Sequence, residues 1–369
     1  MPSQTDTSFS PARFPRPRFR RAASATIAGA AVALLATGCV EGEGSGGTAE
    51  GELDTLTLDF ATYNPLSLVI MEHGWLEEEL SEAGTEVEWI QSHGSNDANE
   101  KLRAEAIDVG STAGSAALLA RANGAPQQII LIENQPEWAA LVTSPDSGIT
   151  DVGDLEGVSV AATLGTDPYF FLVQSLHEAG LEVGDVEVQN LQHADGRSAL
   201  ANGDVDAWAG LDPIMAGAEA DGETLFYRNV DFNTYSVINA TESFIEDHPD
   251  VAQTVVDVYE QAREWAQENP EETAEILAEH SNIDLEVAQT VIRERSNFDV
   301  DPVPGAAQRE VLQEVGPIFL DTGDVSSQDS IDEALETLFH PEFAENRQAT
   351  DAEGSEDEAT IVEDDEDDQ

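Results

Sequence analysis

Small polar residues recur in the loops that follow the predicted strands of this chain. Their hydroxyl and backbone N–H groups can hydrogen-bond a small polar or anionic ligand, and a helix that begins there adds the positive end of its dipole. Ligands of open α/β sheets bind at the carboxyl ends of the strands. We therefore predict one cleft lined by Tyr63, Asn64, Ser92, His93, Gly94, Ser95, Ser111, Thr112, Gly165, Thr166, Asp167 and Asp212. The alternative for each loop is that these residues only cap helices and turns.

Residues that could carry catalysis are scattered along the sequence. The seven histidines show no His-x-x-x-His or Glu-x-x-His spacing, which a metal site on a helix would need. Gly-x-Ser-x-Gly and P-loop patterns are absent from the sequence. The single cysteine, Cys39, rules out a disulfide framework and a cysteine metal site. We therefore predict no catalytic residues, no metal and no cofactor, and we expect a protein that is not an enzyme.

The charge balance is extremely acidic. The chain has 75 Asp and Glu against 15 Lys and Arg, a formal net charge of −60, and its only lysine is Lys101. Such a surplus indicates either an acidic disordered protein or a folded one adapted to molar salt, where the Debye length shrinks to about 3 Å. Hydrophobic periodicity from 56 to 340 favours the folded, halophilic interpretation. A nucleic-acid partner is excluded because no basic stripe exists to meet phosphates.

The N-terminal segment predicts export. Residues 1–38 combine an Arg-rich stretch with a short apolar run, as a signal peptide does. Cys39 follows this run in a position that resembles a lipobox, which implies lipid attachment and anchoring at the outer face of the cell membrane; a free thiol is the alternative. Arg20 and Arg21 leave both the general and the twin-arginine export routes open. Residues 39–52 predict a flexible tether and 346–369 an acidic disordered tail.

Strand and helix patterns alternate between tether and tail. Strands are predicted at 56–61, 87–90, 107–110, 129–132, 139–143, 158–163, 186–191 and 205–209, with helices between them. Amphipathic helices follow at 249–268, 270–280, 284–295 and 327–339. This rhythm predicts two α/β lobes, each a doubly wound sheet. Lobe 1 would comprise 53–140 and 237–345 with the C-terminal helices, lobe 2 would comprise 141–236, and the chain would cross near 139–144 and 235–240.

Several stretches carry a resemblance to a known family. They are Gly74–Glu77, Ala106–Gly110, Leu155–Ala161, Leu164–Leu172, Ala179–Leu181 and Gly203–Ala209, followed by Asp212-Pro213. In this order they resemble the solute-binding proteins of aliphatic-sulfonate, taurine and nitrate importers. The resemblance implies a type 2 periplasmic-binding-protein fold, a monomer whose lobes close on a small ligand, and delivery to an ABC permease and its ATPase.

Departures from the family pattern leave the ligand open. Leu164 replaces the cation that usually precedes the loop glycine, and Leu211 replaces a tryptophan. Asp167, next to Pro168, suits a helix start but would also put a carboxylate where an anion binds. A zwitterion, a cation or a neutral heterocycle is therefore an alternative to a sulfonate. A pyrimidine-binding protein or related enzyme of the same fold, as in thiamine synthesis, and a non-catalytic surface scaffold are the further alternatives.

Overall fold

The computed structural model describes residues 53–347. Cys39, the predicted signal peptide and tether, and the tail beyond 347 lie outside the described residues. The strands are β1 (Thr55–Phe60), β2 (Glu86–Gln91), β3 (Val109–Ala113), β4 (Gln127–Asn134), β5 (Ala139–Thr143), β6 (Ser159–Ala162), β7 (Glu187–Asn190), β8 (Ala207–Leu211), β9 (Thr224–Tyr227) and β10 (Ser236–Thr241). The first helices are α1 (Pro65–His73), α2 (Trp75–Leu80), α3 (Ser95–Arg103), α4 (Gly114–Ala122), α5 (Asp167–Glu178), α6 (His193–Asn202) and α7 (Ile214–Ala220).

The C-terminal part of the described chain is helical. It comprises α8 (Glu242–Asp247), α9 (Pro249–Glu268), α10 (Pro270–Ser281), α11 (Leu285–Thr290), α12 (Ala306–Asp321), α13 (Gln328–Thr337) and α14 (Glu342–Glu345). A π-helical turn, Val291–Arg295, directly follows α11. Within 53–347, none of the helices combines the length and apolar content that a bilayer crossing requires.

Two five-stranded sheets repeat one topology. Their orders are β2-β1-β3-β10-β4 and β7-β6-β8-β5-β9. In the first sheet β1 runs parallel to β2 and β3, whereas β10 runs antiparallel to β3 and β4. In the second, β6 runs parallel to β7 and β8, whereas β5 runs antiparallel to β8 and β9. The predicted two-lobed α/β architecture is confirmed.

The chain crosses between the lobes twice, through 135–138 and 228–235. Both crossings lie a few residues before the predicted ones at 139–144 and 235–240. Ala139 already pairs with Leu211 in the second sheet, and Ser236 already pairs with Ala113 in the first. The predicted crossing segments are therefore strands themselves, held by ladder hydrogen bonds within one lobe.

The C-terminal helices contact both lobes, although the sequence predicted packing on lobe 1 alone. Phe319 of α12 lies against Phe170 of α5, with ring centroids 4.9 Å apart. Leu312 of the same helix lies near Gly114, at the start of α4 in lobe 1. The sequence did not predict α12, because Pro317 interrupts its pattern. Buried residues of this helix share one hydrophobic cluster with residues of α4 and α5.

Candidate functional site

A cavity of about 540 Å³ lies between the two lobes, at the carboxyl ends of β1, β2 and β7. This volume suits a small-molecule ligand. Its lobe 1 wall is formed by Thr62, Gln91, Ser92, His93, Asn96, Asp97 and Glu100. Its lobe 2 wall is formed by Gln192, His193, Ala194, Asp195 and Ile214. Of the predicted site residues, Ser92 and His93 line this cavity directly, and Gly94 adjoins it.

His193 is a buried polar residue of the cavity wall. It begins α6 and is 1 % exposed, and burial lowers its pKa to about 4, so the ring is neutral near pH 7. The Thr163 hydroxyl donates to the Leu191 carbonyl at 2.7 Å, which leaves Thr163 Oγ1 to accept from His193 Nδ1 at 3.2 Å. Nδ1 therefore carries the proton, and Nε2 is a bare acceptor. This Nε2 has no hydrogen-bond partner in the structure.

Gly94 brings a second acceptor close to His193. A Cβ built at Gly94 would stand 2.8 Å from Asn96 Oδ1 and 3.1 Å from His193 Nε2. Asn96 Oδ1, like His193 Nε2, is buried without a hydrogen-bond partner. A side chain at position 94 would collide with Asn96, so the close contact between the lobes at this point requires glycine.

Carboxylates also line the cavity. Asp97 contacts the Lys101 ammonium at 2.5 Å and accepts the His93 N–H at 3.0 Å. Partial burial alone would raise the pKa of Asp97, but these two partners outweigh it and hold the pKa below its ordinary value. Glu100 and Asp195 complete the acidic wall.

Asp167, a predicted site residue, contacts the protein itself. Its carboxyl oxygens accept hydrogen bonds from Ser115 Oγ at 2.5 Å, Trp138 Nε1 at 2.8 Å, Thr234 N at 2.8 Å and Thr234 Oγ1 at 2.8 Å. The residue is 1 % exposed, and burial raises its pKa while the four donors pull the pKa back down. It is the first residue of α5. Its side chain joins lobe 2 to the start of α4 in lobe 1 and to the crossing segments.

Asp212, at the end of β8, forms a second link between the lobes. Arg295 Nη1 contacts both of its oxygens, at 3.1 and 3.2 Å, and Arg295 Nη2 contacts Glu219 at 2.5 Å. Burial raises the pKa of Asp212 to about 6, while the Arg295 charge acts in the opposite direction. The π-helical turn that holds Arg295 packs in the lobe 1 core through Val291 and Ile292. The sequence did not single out Arg295.

The remaining predicted site residues make hydrogen bonds within the protein. Tyr63 Oη donates to the Ser111 carbonyl, Ser95 Oγ accepts the Ala113 N–H, and the Asn239 amide donates to Thr112 Oγ1. Asn64 Oδ1 caps α1 by accepting the Ser67 N–H, and Thr166 Oγ1 donates to the Thr163 carbonyl. Gly165 has a φ of 76°, which turns the loop before α5. These residues shape the strand ends around the cavity.

The predicted site omitted most of the residues that line the cavity, among them His193 and Asn96, and it also omitted Arg295. His193 was counted only among the scattered histidines, although it lies three residues after the end of the second-lobe strand β7, and ligands of open α/β sheets bind at such strand ends. Asn96 stands one residue beyond the predicted loop. In the described part of the chain, no group of three or more His, Cys, Asp or Glu side chains could hold a metal ion.

A family model described as NMT1/THI5 like matches residues 68–273, more than half of the chain. The chain therefore belongs to the NMT1/THI5-like family. Two relatives named putative aliphatic sulfonates-binding proteins are both 26 % identical to it. The one from Bacillus subtilis (strain 168) aligns over 71 % of this chain and 80 % of the relative, and the one from Escherichia coli (strain K12) over 73 % and 85 %.

Solved structures that resemble this NMT1/THI5-like protein confirm the predicted type 2 periplasmic-binding-protein fold. The alkanesulfonate-binding protein SsuA of Xanthomonas axonopodis pv. citri, bound to MOPS, superposes with a TM-score of 0.70 at 21 % identity, covering 77 % of this chain and 98 % of that one. The aliphatic sulphonate binding protein SsuA of Escherichia coli gives 0.67 at 22 % identity, covering 85 % and 98 %. The desulfurization enzyme DSZB gives 0.59 at 17 %, so the fold also serves catalysis.

Proposed function

We propose that this protein is an extracytoplasmic solute-binding protein that delivers a small polar molecule to an ABC importer. The observation that carries the proposal is the cavity of about 540 Å³ whose walls come from both lobes. Relatives named as putative aliphatic sulfonates-binding proteins align with most of this sequence at 26 % identity, which supports a role in transport. The permease and its ATPase are the protein partners, and the protein acts as a monomer without cofactor.

Closure of the lobes couples binding to delivery. A solute in the cavity contacts α3 of lobe 1 and α6 of lobe 2 together, so it binds the closed form more tightly than the open form. A ligand with such differential affinity shifts the population towards closure. The two crossings, 135–138 and 228–235, are the short segments that would absorb the rotation. The closed protein then docks on the permease.

Anchoring through Cys39 would keep the protein at the membrane surface, where the permease lies. A lipid attached to this residue after signal-peptide cleavage is a tether and not a span. Cys39→Ser should move the protein from the membrane fraction into the soluble extracytoplasmic fraction, with unchanged solute binding. Retention of the variant on the membrane would contradict lipid anchoring.

Thermal unfolding of the chain in molar salt tests solute binding. The panel contains sulfonates, taurine, nitrate, pyrimidines, amino acids and organic amines. A solute at 100 times its dissociation constant should stabilise the protein by about 2.7 kcal/mol. At about 2–4 °C per kcal/mol, the unfolding temperature should rise by roughly 5–10 °C. A solute that is consumed would establish an enzyme, and a protein that responds to no solute would be a scaffold.

A pair of tryptophan variants on α6 ties any shift to the cavity. Ala194 lines the cavity, so Ala194→Trp should fill it and abolish the shift. Ala201 is exposed on the same helix, so Ala201→Trp should leave the shift intact. An Ala194→Trp variant that binds as tightly as the original protein would show that the solute binds elsewhere.

A further inference from the structure

We infer that Asp167 is a built-in anion: its carboxylate fills an oxyanion-binding position between the lobes and keeps the anionic groups of solutes out of it. The inference rests on the proposed solute-binding function and adds a residue that determines which solutes can bind. Three observations carry it: four donors that converge on the carboxylate, the uncharged nature of these donors, and the position of Asp167 beside the cleft.

The donors around Asp167 come from three separate parts of the chain. Ser115 Oγ lies at the start of α4 in lobe 1, Trp138 Nε1 lies in the first crossing, and Thr234 N and Oγ1 lie in the second crossing. They reach the two carboxylate oxygens at 2.5–2.8 Å. Hydrogen bonds of this length to an ionised oxygen are among the strong ones in proteins. The four donors therefore form a complete set of partners for an anion that presents two oxygens.

These donors are an indole, a backbone amide and two hydroxyls, and none of them carries a charge. Thr234 Oγ1 also accepts the Ser115 N–H at 3.2 Å, which favours donation of its own proton to Asp167. The indole and the amide can only donate. All four groups recognise the oxygens of the carboxylate and not its attachment to the chain. A free oxyanion of similar size can therefore replace the side chain if the side chain is removed.

Asp167 lies beside the solute cleft. Trp138, one of its donors, lines a narrow pocket together with Thr62, and Thr62 also lines the large cavity. Asp167 is 1 % exposed, so the closed protein leaves no room for a second anion at the four donors. Ser115 belongs to lobe 1 and Asp167 to lobe 2, so the carboxylate takes part in joining the lobes.

The consequence for specificity is that the four donors are closed to a solute's oxyanion. A carboxylate, sulfonate or nitrate group could reach them only by displacing Asp167. The displaced carboxylate would lose its four hydrogen bonds, and a buried charge without partners is strongly unfavourable. The solute is therefore held by other contacts, and the protein itself supplies the anion at this position.

Replacement of the missing carboxylate by a free anion tests the inference. Asp167→Ala removes both oxygens and leaves the four donors, and formate is a small anion that returns two oxygens to them. The full chain is unfolded thermally in molar sodium chloride, which is replaced stepwise by sodium formate at constant ionic strength. Formate should raise the unfolding temperature of Asp167→Ala saturably and recover at least half of the loss that the substitution causes. The original protein should show only the general, non-saturable effect of the change of salt.

Asp167→Asn is the matched control, because its amide keeps the position filled. This variant should show no saturable response to formate. A response of the original protein or of Asp167→Asn equal to that of Asp167→Ala would place formate elsewhere and overturn the inference. A folded Asp167→Ala without a saturable response would also overturn it. If Asp167→Ala folds in formate but not in chloride, the inference is supported; if it folds in neither salt, the inference is overturned, because donors that accept a free anion should re-form around one.

A second substitution identifies the donors. Ser115→Ala, added to Asp167→Ala, should raise the apparent dissociation constant of formate about ten-fold, as expected for loss of a hydrogen bond to a charged group. Ser198→Ala, at an exposed position of α6, is the control and should leave that constant unchanged. Equal constants in the two double variants would overturn the assignment of the anion to these donors. Failure of the proposed function is a separate result: the original protein would respond to no solute, whatever formate does to Asp167→Ala.

Discussion

Four hydrogen bonds to Asp167 link lobe 2 to lobe 1 and to the crossing segments, and Asp167→Ala tests them. Two of the donors, Trp138 Nε1 and Thr234 N, cannot change their role, because an N–H group only donates. The other two, Ser115 Oγ and Thr234 Oγ1, are hydroxyls that can rotate to new partners. Truncation therefore leaves two buried N–H groups without an acceptor.

The magnitude follows from these two groups. A buried unsatisfied donor costs about 1–3 kcal/mol, so the pair costs about 2–6 kcal/mol. Part of this cost is recovered, because burial raises the pKa of Asp167 and the alanine variant no longer buries a carboxyl group. We expect a loss of about 2–4 kcal/mol in the free energy of unfolding. At about 2–4 °C per kcal/mol, the unfolding temperature should fall by roughly 5–15 °C.

Asp167→Asn is the matched control for this prediction. Its Oδ1 can still accept from Trp138 Nε1 and Thr234 N, while its Nδ2 can donate to the two hydroxyls. All four contacts survive without a charge, so the loss should stay below about 1.5 kcal/mol. Denaturant unfolding of both variants in molar salt measures the difference. Equal losses in the two variants, or no loss in Asp167→Ala, would refute the hydrogen-bond account.

Three further predictions concern buried groups. Burial raises the pKa of Glu133 to about 8, so between pH 6.5 and 7.5 the folded protein holds a proton that the unfolded chain has released. The free energy of unfolding therefore falls as the pH rises. Glu133→Gln should remove about 1 kcal/mol per pH unit of this slope, measured by denaturant unfolding. Gly196→Ala places a Cβ 2.8 Å from Trp208 Cδ1 and Nε1, which should cost about 1–3 kcal/mol in thermal unfolding. Arg295→Met leaves Asp212 buried without its partner and should cost about 3–5 kcal/mol at pH 8, and less at pH 5, because the pKa of Asp212 is about 6.

Each of these variants has a control in the same chain. Glu275→Gln removes an exposed carboxylate, Gly184→Ala adds a Cβ with nothing within 4 Å, and Arg103→Met removes an exposed arginine. All three should change the free energy of unfolding by about 0.5 kcal/mol or less. A pH slope that persists in Glu133→Gln would place the bound proton elsewhere. A loss in Gly184→Ala equal to that in Gly196→Ala would remove the steric explanation, and a pH-independent loss in Arg295→Met would remove the ionic one.

Local patterns predicted most of the elements. The amphipathic stretch 249–268 is α9 with the same bounds, and the strand predicted at 139–143 is β5. Both patterns persist because the elements bury their apolar residues, on one face of α9 and on both faces of β5. The stretch 306–321 was not predicted to be a helix, since Pro317 breaks the local signal and only packing against α4 and α5 compensates for it.

The sequence pattern could not predict which strands and side chains that are distant in the sequence become neighbours in the fold. β10 pairs antiparallel with β3, more than a hundred residues earlier, and the local alternation of β10 contains nothing about that partner. The same limit applies to the site. Arg295 lies 83 residues from Asp212, and the two become neighbours only through packing of the π-helical turn on lobe 1. The sequence prediction omitted His193, because the position of the proton on its ring depends on a hydrogen bond with Thr163, which is distant in the sequence.

Asp167 and Arg295 also bear on affinity, although neither lines the large cavity. They join the lobes with the protein's own groups, so we expect them to raise the fraction of molecules that is closed before a solute arrives. The apparent dissociation constant is the intrinsic one divided by the closed fraction. If half of the molecules are closed, affinity falls only about two-fold, whereas a closed fraction of about one per cent costs about a hundred-fold. A solute with few contacts can therefore be held by a protein that carries these two links.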